Sequence, residues 1–419
     1  MRQSELFTKT RKESPTDEVS RNAELLIRAG FVHKEMAGVY SYLPLGLRVL
    51  KKIENIIREE MNAIGGQEVF LSSLQDKDTW EKTNRWSDQA VDAWFKTKLK
   101  NETELGLAFT HEEPLSKLMK NFVSSYRDLP FSTYQFQNKF RNEVRAKSGV
   151  MRTREFIMKD LYSFCKDEAE HAVFYEQAKE AYRKIFQRAG IGHITYLTFA
   201  SGGVFSKYSH EFQTITGAGE DTIYVDENQG VAVNKEVYTD EVLKNLGLAK
   251  ESLVEKRAVE VGNIFTLGTR FSEALDLTYK TESGGKKHVF MGSYGIGPGR
   301  LMGTVVEALS DDKGIIWPET IAPFAVHLLL LGGDEEILNE AGKIYEGLQK
   351  NGIEVLFDDR KEISPGEKFS DADLLGIPYR AVVSSRSIKD GGIELKKRTE
   401  EKGKIVSLEG LLKILAPSR

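Results

Sequence analysis

Between Pro44 and Ile64 the apolar residues Leu47, Leu50, Ile53, Ile57, Met61 and Ile64 recur every three or four positions, which predicts a long amphipathic helix. Gly65 and Gly66 stop the pattern, and QEVFLSSL beyond them reads as a strand. A shorter helix is expected to start at Asp17 or Ser20, both capping residues, and to run to about Ala29, with Gly30 at its end. FSTYQFQ at 131–137 and REFIMKDLYSF at 154–164 have strand composition and partial alternation, so they predict two antiparallel strands joined by a charged loop. A helical stretch from about Asp167 to Ala189 follows, and then the strand candidates HITYLTF, HEFQTIT and DTIYVD. Helices set around an antiparallel sheet give an α+β class for residues 1–322. The rhythm changes at Phe324, where FAVHLLLLG, a helical EEILNEAGKIYEGLQKNG, IEVLFDD, a helical EKFSDADLLG and YRAVVSS predict a separate α/β domain over 323–419. Residues 230–258 read as a linker with one or two small helices, too short to bury a core of its own.

The 419 residues exceed what one hydrophobic core usually organises, in agreement with two domains. With 40% hydrophobic and 29% charged residues the chain is of ordinary globular composition. A single cysteine, Cys165, excludes an intramolecular disulfide and a multi-cysteine zinc site. No apolar run is long enough for a membrane span or a secretory signal, so a cytoplasmic protein without membrane contact is expected. The net charge of -4 excludes a uniformly basic surface, and any nucleic-acid contact must come from local patches.

One such patch is KFRNEVRAKSGVMRTREFIMKD at 139–160, with seven Lys or Arg against three acidic residues. Its Arg141, Arg145, Arg152 and Arg154 suit oxygen-rich anions, because a guanidinium binds phosphate or carboxylate bidentately. Taken alone, a basic hairpin is more often a solvated surface. The second feature, MGSYGIGPGR at 291–300, lacks a full GxGxxG and the surrounding strand–helix alternation of a dinucleotide fold. Its glycines allow close backbone approach to a ligand or to another element, with Arg300 beside them, and the segment alone supports both equally.

The ordered set LIRAGFVHKEMAGVYSYLPLGLRVLKKIENIIREEM, FTHEEP, FRNEVRAKSGVMRTREFIMKDLYSF, SHEFQ, NIFTLGTRFSEAL, MGSYGIGPGR and GIEVLFDDRKE resembles the bacterial-type prolyl-tRNA synthetases, a family of class II aminoacyl-tRNA synthetases. The resemblance covers nearly the whole chain. It implies an ATP- and Mg²⁺-dependent, homodimeric enzyme that forms prolyl-adenylate and passes the prolyl group to tRNA, with a C-terminal anticodon-binding domain. Arg141 would bridge the α-phosphate and the amino acid's carboxylate, Glu143 and Phe156 would hold the adenine, and Arg152 would reach the outer phosphates. Arg300 would close over base and γ-phosphate from the other side, and Arg145 matches the acceptor-stem position. Thr110, Glu112, His210 and Ser293 match the proline pocket, Glu211 the metal side and Gln213 the ribose side. By themselves Glu112 reads as a helix N-terminal carboxylate and His210 as a structural histidine. Anticodon contact would fall to Arg360, Lys361 and the basic run from Arg386 to Lys404, in a domain that is slightly acidic overall.

The chain departs from the family pattern in three places. Ser72 replaces a proline of the segment that shapes the dimer interface, Asn263 stands where histidine is common, and only residues 230–258 occupy the place of a large editing domain. Two rivals remain on sequence grounds, a catalytically inactive synthetase-like tRNA-binding subunit and a class II synthetase for another small amino acid. The presence of Arg141, Glu143 and Arg300 weighs against the first.

Overall fold

The computed structural model describes residues 1–15, 18–144, 146–202 and 208–416. The expected cap Asp17 and the expected tRNA contact Arg145 lie outside the described residues. Packing divides the chain into two compact units.

The larger unit comprises residues 35–40 and 53–304. Its core is a nine-stranded sheet in the order Tyr208–Ile215, Thr195–Ser201, Val231–Asn234, Asp221–Asp226, Val254–Gly268, Phe290–Ile296, Glu155–Cys165, Phe131–Phe140, Gly66–Glu68. The two strands expected around the basic loop pair antiparallel, with Lys139 opposite Phe156 and Gln135 opposite Asp160. The helix Glu168–Arg188 starts where the Asp167 carboxylate accepts from the Glu170 N–H, and it buries Ala178, Ala181, Tyr182, Ile185 and Phe186. Against it pack Phe212 of the sheet, through Tyr182 and Phe186, and Gly262, where a Cβ would come within 3.2 Å of both rings.

Tyr208–Ile215 also pairs with Val254–Gly268, which closes the first five strands into a ring. Val231–Asn234 enters this ring parallel to Thr195–Ser201. Residues 230–258, expected to be a short linker with no core of its own, are packed onto this ring. Val233, Val237, Val242, Leu243 and Leu248 are buried together, packed with Phe199 of the ring, so the segment borrows the sheet's core instead of building one. QEVFLSSL also differs from expectation. Only Gly66–Glu68 pairs, parallel to Phe131–Phe140, while Leu74–Asp76 joins a separate sheet with Glu104–Leu107 and Lys96–Lys98, and Phe70 between them is 78% exposed.

The other unit comprises residues 1–34, 41–52 and 305–419. Its five strands run in the order Val355–Asp358, Val326–Leu331, Tyr379–Ser384, Ile393–Lys397, Lys404–Val406, the first three parallel and the last two antiparallel. The amphipathic helix Glu335–Lys350 covers one face with Ile337, Ala341, Ile344 and Leu348. The N-terminus of the chain is part of this unit. The Met1 ammonium donates to the Val355 carbonyl at 3.0 Å, Arg2 pairs with Asp359 at 2.8 Å, and Gln3 Oε1 lies 2.8 Å from Nε2 of the buried His327. Residues 1–34 and 305–322, grouped by sequence with the antiparallel sheet, thus pack with the C-terminal one.

Candidate active site

Side chains alternate across a strand, so register decides which residues share a face. Lys139 opposite Phe156, Gln135 opposite Asp160, Tyr162 opposite Ser293, Ser293 opposite Phe265 and Gly295 opposite Asn263 define one face, and Glu211 joins it opposite Asn263. Lining a single cleft on this face are Arg141, Glu143, Arg152, Phe156, Glu260, Asn263, Gly295, Gly297 and Arg300. Five residues expected to bind ATP are among them. Ser148, Glu220 and Asp221 line an adjoining cleft that shares Glu143, Arg152, Glu260 and Arg300.

Arg141 is half-buried and its guanidinium lies 5.0 Å from the Phe109 ring and 5.4 Å from the Phe156 ring. Its Nε donates to the Phe109 carbonyl at 3.4 Å, and it forms no ion pair among the described residues. Burial, followed by the nearby Arg300 charge, presses its pKa down. Two cations facing one cleft make it a site for an anion. Arg300 is held by the Met151 carbonyl at 3.0 Å and the Glu260 carbonyl at 3.1 Å. Arg152 pairs with Glu143 at 2.9 Å and with Glu220. Arg154, grouped with these by sequence, instead secures the loop's backbone, donating to the carbonyls of Glu143 and Ala37.

Asn263 now has a role. Its Nδ2 donates to Glu260 Oε1 at 2.8 Å and fixes that carboxylate toward the cleft. Gly295 is the complement, because a Cβ there would sit 2.7 Å from Asn263 Oδ1. Glu211 accepts from Gln213 Nε2 at 2.9 Å, and burial together with the Glu260 charge pushes its carboxyl up to about 8. Asp221 is pushed up by burial as well and also accepts from Gln213, at 2.8 Å. Gln213 is fully buried, and its Oε1 accepts no hydrogen bond from the described residues. Among the described residues no group of three or more His, Cys, Asp or Glu is arranged to hold a metal by itself.

Beside the cleft, Glu112 and Thr110 are buried at the start of the helix Glu112–Met119. Glu112 Oε1 accepts from the Tyr162 hydroxyl at 3.2 Å, Oε2 accepts no hydrogen bond from the described residues, and the Arg85 guanidinium stands 3.6 Å from it. Glu113, also buried, takes Arg85 at 2.9 Å and Thr83 at 2.8 Å.

His210 is not where the sequence reading put it. It pairs with Ile264, which pairs with Tyr294, on the face covered by the helix Glu168–Arg188 and opposite to Ser293 and Glu211. There its Nδ1 lies 2.8 Å from the Tyr175 hydroxyl, and burial lowers its pKa to about 4. The signal was present in HEFQT: Phe212, two residues on, marks the apolar face that His210 shares. Sequence reasoning missed Glu260, Asp221 and Tyr162, which stand out only as polar residues inside otherwise apolar strands. In the C-terminal sheet unit, Arg360 is bound within the fold, to Asp358 at 2.7 Å and Asp371 at 2.8 Å, whereas Lys361 is exposed.

Comparison with known proteins fits this geometry. Residues 95–309 match the tRNA synthetase class II core domain (G, H, P, S and T), and residues 321–416 match an anticodon binding domain. A proline–tRNA ligase of Anaplasma phagocytophilum is 38% identical over 427 aligned positions, covering 98% of this chain and 99% of that one. One of Caldicellulosiruptor saccharolyticus is 33% identical, covering 99% of this chain and 98% of that one, but over 563 positions. That relative thus carries a sizeable segment that these 419 residues lack. The Giardia lamblia prolyl-tRNA synthetase, solved with prolyl-adenylate, shares the fold with a TM-score of 0.77 at 18% identity, over 94% of this chain and 77% of that one. Near-complete coverage by same-length relatives, on top of a cationic cleft over an antiparallel sheet, shows that the chain belongs to the proline–tRNA ligase family of class II aminoacyl-tRNA synthetases.

Proposed function

We propose that the cleft carries out proline activation, with its residues dividing the work as follows. The proline carboxylate attacks the α-phosphorus of ATP, the bond to the β-phosphate oxygen breaks, and pyrophosphate leaves with that electron pair. Arg141, unpaired and pinned between two aromatic rings, holds the α-phosphate and the attacking carboxylate together, and its charge offsets what builds up on the phosphoryl oxygens. Phe156 stacks on the adenine, Glu143 accepts from its exocyclic amine, and Arg152 and Arg300 take the outer phosphates. Thr110, Glu112 and Ser293 form the amino-acid side, with Glu112 taking the secondary ammonium. His210 has no part in this pocket.

Mg²⁺ is usually held by one or two carboxylates together with substrate phosphates, not by an all-protein cage. Glu211, raised by burial and by the Glu260 charge, and Glu260 itself fit that arrangement, and the ion would neutralise phosphate charge when it arrives with ATP. Gln213 lies behind Glu211 and orients it.

The prolyl group then passes to the 3′ end of tRNA, with Arg145 on the acceptor stem. Residues 1–322 serve as the catalytic domain and 323–419 as the anticodon reader, where Lys361 is better placed for contact than the ion-paired Arg360. Exposed Phe70, Leu74 and Phe122 support a homodimer through the segment that contains Ser72. Ser72 is itself exposed, and its carbonyl, 3.1 Å from His111 Nε2, is the part that the fold uses. A cytoplasmic location is in keeping with this activity, and no helix of the described residues is long and apolar enough to cross a membrane.

The observation that carries the reading is the pair of guanidiniums, Arg141 and Arg300, lining one cleft together with the Phe156 ring. Amino-acid-dependent ATP–pyrophosphate exchange across the twenty amino acids tests it. Exchange with proline is expected. Exchange with another small amino acid alone would replace the substrate, and no exchange at all would favour an inactive tRNA-binding subunit.

A further inference from the structure

Behind Glu112 lies a chain of buried polar groups that substrate binding does not require to exist. Lys139 is wholly buried, and its Nζ donates to Asp160 Oδ1 at 2.8 Å and lies 2.7 Å from His111 Nδ1. The His111 Nε2–H donates to the Ser72 carbonyl at 3.1 Å, and burial, then the Lys139 charge, lowers the imidazole pKa to about 4. A neutral ring with Nδ1 free to accept is the tautomer that both partners demand. Asp160 Oδ2 accepts from Gln135 Nε2 at 3.0 Å. Burial alone would raise the Asp160 carboxyl, but the Lys139 charge and the hydrogen bonds from Lys139 and Gln135 more than offset it and hold it below its ordinary range.

The Tyr162 hydroxyl stands between two carboxylates, 3.1 Å from Asp160 Oδ2 and 3.2 Å from Glu112 Oε1, and it accepts the His111 backbone N–H at 3.3 Å. A phenol has one proton to donate, so it serves one carboxylate at a time. Asp160 already has donors on both oxygens, from Lys139 and Gln135. Among the described residues Glu112 has no hydrogen-bond donor other than Tyr162, and the Arg85 guanidinium stands 3.6 Å from its Oε2. Without the phenol proton Glu112 would lose its hydrogen bond, whereas Asp160 would keep both of its own, so the proton belongs with Glu112.

We propose that Tyr162 is a positioning residue for amino-acid recognition: it ties Glu112 by Oε1 and leaves Oε2, which accepts no hydrogen bond among the described residues and has only the Arg85 guanidinium 3.6 Å away, to take the N–H groups of the substrate's secondary ammonium. Lys139 and Gln135 act one step further back, satisfying Asp160 so that it does not compete for the phenol proton. The inference rests on the reading of Glu112 as the ammonium acceptor. It adds that the orientation of that carboxylate is set by the second strand of the basic hairpin.

Kinetics of pyrophosphate exchange with the full-length chain test both layers. Tyr162→Phe, which removes one oxygen, is expected to raise KM for proline about tenfold, the usual weight of a hydrogen bond to a charged group. KM for ATP and kcat should stay within about twofold. In a Glu112→Gln background, which itself raises KM for proline, adding Tyr162→Phe should change KM less than about twofold, because the two act as one unit. Effects that multiply, an unchanged KM for proline in Tyr162→Phe, or an equal rise in KM for ATP would each overturn the proposal while leaving Glu112 in place. A Glu112→Gln variant with unchanged KM for proline would instead remove the reading beneath it. Circular dichroism and the Tm of Tyr162→Phe establish that the variant is folded.

Discussion

Arg141 forms no ion pair among the described residues, so in the absence of ligand it is held by ring faces and one carbonyl, with the Glu112 and Glu260 charges acting only from a distance. Such a group gains most when a phosphate arrives, and removing it removes a contact that strengthens in the transition state. Arg141→Ala is expected to lower kcat/KM for exchange by several hundredfold, about 3–4 kcal/mol, with the Tm within a few degrees of the parent. Single-site kinetics with a thermal melt check both halves. The histidines behave differently. Burial lowers His171 to about 4, with its Nε2 3.0 Å from Thr266 Oγ1. Between its ordinary value near 6.5 and about 4, the unfolded chain binds a proton there that the folded chain refuses, so stability falls as the pH drops through that window and is fully present above it. Urea unfolding at pH 7 and pH 5 should show this loss, and His171→Asn should remove about 1–2 kcal/mol of it. A residue's type was readable from the sequence, but its face was readable only where a neighbour betrayed it. Phe212 betrayed His210, whereas nothing in the string MKDLY reveals that Asp160 is satisfied from behind by Lys139.

Elements were more legible than residues wherever a period ran long. The helix Pro44–Ala63 and the strand pair Phe131–Phe140 and Glu155–Cys165 lie close to where their patterns put them. The five-strand ring was not legible, since the pairing of Tyr208–Ile215 with Val254–Gly268 and the parallel entry of Val231–Asn234 join segments far apart in sequence that local pattern cannot rank. The loop between the hairpin strands owes its electrostatics to its arginines, but the shape of the cleft owes as much to Gly295. A methyl group there would meet Asn263 Oδ1 at 2.7 Å and drive Asn263 away from Glu260. Gly295→Ala should therefore cost about 1–3 kcal/mol in stability and raise KM for ATP. Adding Asn263→Ala removes the clashing oxygen, so the Tm of the double variant should recover relative to Gly295→Ala while KM for ATP stays high. Recovery of both would show that Asn263 does not orient Glu260 for the nucleotide.

At the scale of the whole molecule, the family relation explains what the chain does, and its length bears on how accurately it does it. Alanine is smaller than proline and enters any pocket that admits proline, and missing methylenes supply only about 1–3 kcal/mol of discrimination each. Some alanyl-adenylate is thus expected even with Glu112 well oriented, because a primary ammonium satisfies a carboxylate too. A relative aligned over 563 positions has a segment that this chain lacks. What occupies residues 230–258 here is the ring strand Val231–Asn234, the short helix Asp240–Leu246, the start of the ring strand Val254–Gly268 and a few apolar side chains sharing the sheet's core. That is too little to enclose a second ligand cavity. The purified enzyme should therefore leave alanyl-tRNA intact, and its decay in the presence of enzyme should match the spontaneous rate, while alanine supports a measurable fraction of the exchange seen with proline. Enzyme-dependent deacylation would place a hydrolytic site elsewhere on this chain. An absence of both deacylation and alanine exchange would mean that the pocket discriminates by something stronger than size, and the ammonium-recognition network behind Glu112 would be the first place to look for it.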